Sequence, residues 1–455
     1  MGEKNQKPRY FGTDGIRGKF GQAPLDEETI RRLGHALGEA LKAQHGADDL
    51  RVAIGGDTRG STPELSSWLG AGLEAAGVEQ SFLGTVPTPT VAFAARHLGA
   101  AAGIAISASH NPFPDNGIKI LDGNGYKWGP DQEAALEARL QETAPPTNDA
   151  PELTVNRPAV DAYLDSLAAS ISAESDNPLS GLAVALDTGN GAASPYAKDL
   201  FDRLGARVEI ANDAPNGQNI NEGCGSTHPQ VVADMVKNTG AAVGFSFDGD
   251  ADRVILADEQ GNVQDGDIVL YLWGRDLKSR GALPEDCIVA TSMSNLGLEV
   301  ALRNEGIKLE RCDVGDRNVM LMMRDLGSVL GGEQSGHIIH LGLGTTGDGL
   351  LTAVQMAHLV ARSDRPLSEM ASGFERYPQL IKNVRVREKP PLEGMPTVAT
   401  AWRAVEEKLG DEGRLVLRYS GTEPKARIMV EGRDLAEIQA LADDLAEVIR
   451  KEIGE

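Results

Sequence analysis

Cysteine is scarce in this chain: Cys224, Cys287 and Cys312 are the only three in 455 residues, with no CxxC spacing and no histidines at zinc-site intervals. This excludes a disulfide framework and a cysteine-built zinc centre, and predicts reduced thiols. Basic residues are also in deficit. The 44 Lys and Arg face 67 Asp and Glu, a net charge of -23, so the overall field repels nucleic acid and anionic membrane surfaces. Long apolar runs are missing as well. No stretch approaches the roughly 18 uninterrupted apolar residues that a membrane span requires, and the polar start from Met1 to Arg9 has no apolar signal core. Gly2 invites a myristoylation reading, but Gln6 stands where Ser or Thr is needed. Together these absences predict a cytoplasmic protein without nucleic-acid or membrane partners.

What remains is ordinary soluble composition, 41% apolar and 24% charged, on a chain long enough for about three domains. Apolar residues at Ile30, Leu33, Leu37 and Leu41 have helical spacing, which predicts a helix over 26–44 with acidic residues in its first turn. The run 52–54 reads as a strand, and Ser61-Thr62-Pro63-Glu64 as a capped helix start. Strand and helix alternate again around 183–186, 195–204, 208–210, 228–237, 243–247 and 286–291. Three apolar strands run into loops of small polar residues, Ser107 to Asn111, Asp248 to Arg253 and Thr291 to Asn295, a weak internal repeat of three similar units. The last stretch, with strands near 384–386, 414–419 and 426–430 and helices over 399–409 and 435–453, reads as a smaller α+β domain. The expected architecture is three similar α/β domains with mixed sheets around a central cleft plus a C-terminal α+β domain, with limits at 1–155, 156–257, 258–370 and 371–455.

Four constellations carry chemistry. In the first, a strand delivers Ser109 to a loop of small residues beside His110, with Lys119 ten residues on, an arrangement suited to a nucleophilic serine or to a plain polar connection. In the second, Asp248, Asp250 and Asp252 alternate with Gly249 and Ala251 and are followed by Arg253. Their oxygens can converge on one point, and three hard ligands suit Mg²⁺. An EF-hand loop is excluded because Arg253 occupies its obligatory glycine position. In the third, Glu333 and Ser335 alternate before Gly336 and His337, so an extended backbone would turn both toward neighbouring sugar hydroxyls, while the pattern taken alone is more often a Gly-rich turn. The fourth, Arg418-Tyr419-Ser420-Gly421-Thr422-Glu423-Pro424-Lys425, combines a guanidinium, two hydroxyls and a glycine between two strands. It fits either a plain hairpin with a Ser-Gly turn or the local anion site that an acidic protein needs before it can hold a phosphate.

In this order, from Phe11-Gly12-Thr13-Asp14-Gly15-Ile16-Arg17-Gly18 to Gly432, the four loops resemble the α-D-phosphohexomutase superfamily. Phe11 to Gly18 and Gly332 to His337 look most like its branch acting on hexosamine phosphates. The resemblance implies a phosphorylated Ser109 that also joins Asp248, Asp250 and Asp252 around one Mg²⁺ per subunit, with Arg17, His110, Lys119 and Arg253 lining the reacting centre and Lys119 as general base. It further implies that Glu333, Ser335 and His337 bind the sugar and that Arg418, Ser420, Gly421, Thr422 and Arg427 hold the non-reacting phosphate. A hexosamine 1,6-bisphosphate would be intermediate and activator, the substrate a small sugar phosphate, and the assembly a homodimer. Two positions depart from the family pattern: Ala251 where glycine is more usual, harmless if that backbone is not left-handed, and Asn318 where an aromatic is more usual. Competing readings are a phosphomannomutase or phosphoglucomutase, a phosphatase with an aspartate nucleophile, and a sugar-phosphate-binding protein without activity.

Overall fold

The computed structural model describes residues 10–12, 14–46, 49–172, 175–420 and 423–455. Its first sheet contains β1 (Phe11–Gly12), β2 (Gly15–Lys19), β3 (Arg51–Gly56), β4 (Glu79–Thr85), β5 (Ala102–Ile106) and β6 (Asp115–Asp122) in the order β1-β2-β6-β5-β3-β4. The second contains β7 (Ala183–Asp187), β8 (Arg207–Ala211), β9 (Val243–Phe247), β10 (Val254–Asp258) and β11 (Val263–Gln264) in the order β11-β10-β9-β7-β8. The third contains β12 (Cys287–Thr291), β13 (Lys308–Cys312), β14 (Leu330–Gly332) and β15 (Ile338–His340) in the order β13-β12-β14-β15.

The three sheets repeat one topology. In each, a first strand pairs in parallel with its two successors (β3 with β4 and β5, β7 with β8 and β9, β12 with β13 and β14), and the next strand returns antiparallel (β6, β10, β15). The loops that follow β5, β9 and β14 are therefore equivalent. This corrects the sequence reading of the repeat, which took Thr291 to Asn295 after β12 as the third loop; topology puts Glu333 to Gly336 there. The strands were legible because their apolar runs are buried on both faces: all five residues of β5, β9 and β12 are buried. The helix Glu27–His45 begins where Asp26 accepts the Thr29 N–H at 2.9 Å. Ser61, expected to cap the next helix, does not do so; its Oγ accepts from Asn116 Nδ2 instead, at 2.9 Å. Because β11 pairs with β10, the second unit runs past residue 258 to Gln264.

A fourth unit is built from β16 (Gln379–Arg385), β17 (Gly413–Tyr419) and β18 (Lys425–Gly432), an antiparallel sheet in the order β16-β18-β17. The helices Pro396–Leu409 and Leu435–Ile453 pack on it around their own core, including Val398, Ile428 and Leu445. No helix among the described residues is long and apolar enough to cross a membrane. The three cysteines are free and buried.

The third and fourth units meet through buried polar groups. Asn295 Nδ2 donates to the Tyr377 carbonyl at 2.9 Å, and the Tyr377 N–H donates back to Asn295 Oδ1 at 3.0 Å. Glu431, fully buried on β18, accepts from Arg414 Nε at 2.8 Å and Gln379 Nε2 at 2.9 Å. Behind them Asp267 accepts from the Asn295 N–H at 2.8 Å and from Gln334 Nε2 at 3.2 Å. Burial, reinforced by Asp265, pushes the Asp267 carboxyl up to about 7. A carboxyl with a raised native pKa binds its proton more tightly when folded, so its stabilising contribution is complete below the unfolded value and disappears as pH rises through about 7. Raising the pH from about 5 to about 8.5 should cost roughly 3 kcal/mol from this group, to order of magnitude. Asp267→Asn should flatten that part of the profile, read as unfolding free energy against pH.

Candidate active site

Strand β5 ends at Ile106 in the centre of its sheet, and the chain turns there to place Ser109 in a left-handed conformation, φ 52°. For a residue with a Cβ that conformation costs on the order of 1–2 kcal/mol, so the surroundings must hold it. The reward is position: Ser109 Oγ donates to Asp248 Oδ2 at 2.6 Å and lies 3.4 Å from His110 Nδ1. Residues 139 apart in sequence thus meet in a buried contact between the first and second units. Gly249 permits the approach, because a Cβ there would stand 2.5 Å from the Ser109 carbonyl oxygen.

Asp248, Asp250 and Asp252 are buried and offer oxygens within 4.8 Å of one another. Asp250 Oδ2 accepts from Thr88 Oγ1 and from Lys119 Nζ, both at 2.7 Å, and Lys119 Nζ also reaches Asp252 Oδ2 at 3.4 Å. Asp250 Oδ1 and Asp252 Oδ1 are buried without hydrogen-bond partners. Burial, together with the charges of Asp252 and Asp250, holds the Asp248 carboxyl well above its ordinary range. Converging hard oxygens, two of them unsatisfied, with repulsion among them, suit a divalent cation. The turn that aims them puts Ala251 at φ 52°, so the substitution for glycine sits in the left-handed region after all and is not conformationally neutral.

Lys119, expected as general base, sits among three carboxylates. Burial alone would lower its pKa, but Asp14, Asp250 and Asp252 overcome that and hold it well above the ordinary lysine value. So placed, its ammonium offsets the charge of the acidic cluster. His110 moves the other way: burial and the neighbouring Arg253 and Arg17 lower its pKa, and its Nδ1 is 3.2 Å from Arg253 Nη1. Arg17 Nη1 donates to the Ala108 carbonyl at 3.2 Å and its Nη2 to Asp14.

Asp252, Arg253, Glu333 and His337 line a cavity of about 550 Å³ between the first three units, together with Arg17 and Lys127. Glu333 and Ser335 do face one another, with Ser335 Oγ 3.5 Å from Glu333 Oε2, but not on an extended segment. Strand β14 ends at Gly332, and residues 333–336 form a turn closed by Gly336 N donating to the Glu333 carbonyl at 3.0 Å. His337 is buried, accepts from the Gly347 N–H through Nε2 at 3.0 Å and approaches Asp252 Oδ2 with Nδ1 at 3.5 Å, so it steadies the acidic cluster as well as the cavity wall.

The fourth constellation lies apart from this cavity. Arg418 on β17 is directly opposite Arg427 on β18, and with Lys425 they line a separate hollow of about 190 Å³. Glu423 is paired to Lys425 at 2.6 Å and to Arg427 at 3.3 Å, while Arg427 Nε is buried without a partner. Ser420 is buried, and its Oγ accepts from the Glu423 N–H at 3.3 Å. Gly421 and Thr422, like Thr13, lie outside the described residues.

Several residues of the site had not been singled out. Asp14, Lys127 and Asp316 form a bridge across the cavity floor, Lys127 donating to Asp14 at 2.7 Å and to Asp316. Arg59 and Asn221 grip the backbone of the serine loop, and Asp57 pairs with Arg59. Only Asp14 stood inside a quoted motif; the contacts that bring the others to the site are with residues fifty or more positions away, so spacing alone held no signal for them.

A mixed-sheet repeat that brings a serine, three aspartates and a ring of cations to one buried cleft defines a class of phosphoryl-transferring enzymes acting between sugar positions. The chain belongs to the phosphoglucomutase/phosphomannomutase family, matching its alpha/beta/alpha domains I, II and III over residues 8–146, 161–261 and 265–377 and its C-terminal domain over 381–448. It is 46% identical over 452 residues to the phosphoglucosamine mutase of Symbiobacterium thermophilum, covering 98% of this chain and 100% of that one. It is 42% identical over 456 residues to the phosphoglucosamine mutase of Koribacter versatilis, covering 98% and 97%. Among solved structures it resembles a phosphoglucomutase/phosphomannomutase family protein from Burkholderia thailandensis, with TM-score 0.81, 25% identity and coverage of 99% and 100%. The fold is also that of the Aspergillus fumigatus N-acetylphosphoglucosamine mutase solved with GlcNAc-6P and magnesium, at TM-score 0.63, 17% identity and coverage of 97% and 95%.

Proposed function

We propose that the protein is a phosphoglucosamine mutase that interconverts glucosamine 6-phosphate and glucosamine 1-phosphate through a phosphorylated Ser109. The observation that carries this reading is the 2.6 Å contact between Ser109 Oγ and Asp248, whose cluster has two further oxygens unsatisfied. The bacterial relatives of similar length supply the choice of an amino sugar. Asp248, Asp250 and Asp252 would hold Mg²⁺ together with an oxygen of the serine phosphate, and that cation would withdraw charge from the phosphoryl group.

In the first half-reaction the free sugar hydroxyl attacks phosphorus, the P–Oγ bond breaks, and the proton lost by the hydroxyl is made up at Ser109 Oγ. The sugar leaves this step as a 1,6-bisphosphate. After it turns end for end, its other phosphate returns to Ser109 by the same steps reversed. Lys119, Arg17 and Arg253 neutralise the oxygens in flight, which is what phosphoryl transfer demands of a protein. Glu333 and Ser335 engage sugar hydroxyls. Arg418, Arg427 and Ser420 hold the phosphate at the far end, and because their hollow is separate from the cleft, the fourth unit closes over bound sugar and excludes water.

A coupled assay across glucosamine 6-phosphate, glucose 6-phosphate and mannose 6-phosphate, primed with catalytic sugar bisphosphate, tests the assignment. Glucosamine 6-phosphate should have the highest kcat/KM. Faster turnover of mannose or glucose phosphate would move the protein to another activity of its family, and release of inorganic phosphate without isomer would mark a phosphatase.

A further inference from the structure

We propose that Arg59, with Asp57 and Ser107, is a positioning assembly that holds Ser109 in its left-handed conformation and thereby sets the rate of phosphoryl transfer without touching the sugar. This rests on the reading of Ser109 as the phosphorylated residue. All five guanidinium N–H groups of Arg59 are used, and its side chain is fully buried. Nε donates to Asp57 Oδ2 at 2.9 Å. Nη1 donates to the carbonyls of Pro112 at 2.6 Å and Asp115 at 2.9 Å, and Nη2 to those of Ser109 at 2.9 Å and Asn111 at 2.8 Å. Four backbone carbonyls of the serine loop thus converge on one side chain.

The other end of Ser109 is fixed through the same pair. Its N–H donates to Ser107 Oγ at 2.8 Å, and Ser107 Oγ donates to Asp57 Oδ2 at 2.6 Å. Both peptide groups flanking the Ser109 Cα are therefore pinned to the Asp57–Arg59 pair. From the second unit, Asn221 Nδ2 reinforces the grip with bonds to the Ser109 carbonyl at 2.9 Å and the Asn111 carbonyl at 3.1 Å.

Comparison with the equivalent loop in the second sheet separates this device from general scaffolding. There Asp187, at the end of β7 as Asp57 is at the end of β3, accepts from Ser246 Oγ at 3.0 Å, and Ser246 stands two residues before Asp248 as Ser107 stands two before Ser109. The aspartate–serine bond is thus common to both units. The guanidinium is not: Gly189 occupies the position corresponding to Arg59. The first unit adds the cation only where the residue presented is to carry and surrender a phosphoryl group. A group misplaced by about 1 Å can lose roughly 100-fold in rate.

The experiment follows single-turnover phosphorylation of Ser109 by glucosamine 1,6-bisphosphate in the full-length protein, with steady-state KM, Mg²⁺ affinity by calorimetry and thermal unfolding measured alongside. Arg59→Lys keeps the charge but gathers its donors on one nitrogen, which cannot reach four carbonyls and a carboxylate. It should slow transfer on the order of 100-fold while KM and Mg²⁺ affinity stay within about twofold of native. Ser107→Ala should slow transfer similarly, and Ser107→Thr, which restores the oxygen, should recover most of the rate. If Arg59→Lys fails to fold, the two Ser107 variants decide the matter alone. Native-like transfer in the variants, or KM and Mg²⁺ affinity collapsing in step with the rate, would overturn the proposal. Failure of the native protein to phosphorylate would instead overturn the reading of Ser109 itself, and the positioning role with it.

Discussion

Ser109→Ala should yield a folded protein whose mutase turnover is lower by at least about 10⁴-fold, since on the proposed mechanism Ser109 carries the phosphoryl group and its loss removes the whole route. The fold should persist because the lost contacts are few. One hydrogen bond to Asp248 disappears, worth about 1 kcal/mol, while the loop remains gripped through its backbone by Arg59 and Asn221. The left-handed φ of 52° is retained by the alanine and must still be held. Intact-mass analysis after incubation with sugar bisphosphate should find one phosphate on the native chain and none on the variant. Turnover within about tenfold of native would place the covalent step on another residue.

How far the site could be read in advance depended on whether its partners were close in sequence. Asp248, Asp250 and Asp252 announce themselves because an apolar strand, β9, stops where alternating carboxylates begin, and repulsion among three neighbours is itself a physical signal. Ser109 and Lys119 were legible as residues, but the surroundings of Lys119 were not. Its pKa depends on Asp14, Asp250 and Asp252, all of which lie more than a hundred positions away. Arg418 and Arg427 were legible as cations, and the antiparallel register of their consecutive strands puts them opposite one another. The turn at 333–336 was legible only as one of two readings, because strand alternation and a glycine turn give the same pattern of Glu, Ser and Gly in so short a segment. Arg59 was invisible for the plainest reason: its four carbonyl partners are backbone atoms some fifty residues on, and backbone carbonyls leave no mark in a sequence.

The architecture was legible as alternation of strand and helix, and less so as a repeat. Burial on both faces made β5, β9 and β12 apolar throughout, so their existence followed from composition, whereas β14 is the three residues Leu330–Gly332 and offers almost no pattern. That is why β12 was taken for the third loop-bearing strand, although β14 is the topological partner of β5 and β9. The correction has a functional consequence. The serine, the aspartates and Glu333 all leave the same strand of the repeated unit, so on the proposed mechanism one loop position in three copies would supply the nucleophile, the cation ligands and the sugar contact.

Lys119→Met should be the second most damaging substitution, and pairing it with Lys119→Arg separates charge neutralisation from proton abstraction. Removing the ammonium leaves Asp14, Asp250 and Asp252 facing one another across a buried space, so transfer should slow by roughly 10²–10³-fold. The metal-free protein should also lose several kcal/mol of stability, as expected when one partner of a buried ion pair is deleted. Addition of Mg²⁺ supplies the missing charge, so the rise in unfolding temperature on Mg²⁺ addition should be larger for Lys119→Met than for the native chain, a readout independent of turnover. Arginine carries the charge but, with a side chain that does not titrate in the accessible range, cannot serve as a base. If Lys119 acts as the raised pKa implies, Lys119→Arg should recover at least tenfold of the rate lost in Lys119→Met, with a pH–rate profile parallel to native. An arginine variant as inactive as the methionine one, despite normal Mg²⁺ binding, would return Lys119 to the role of base.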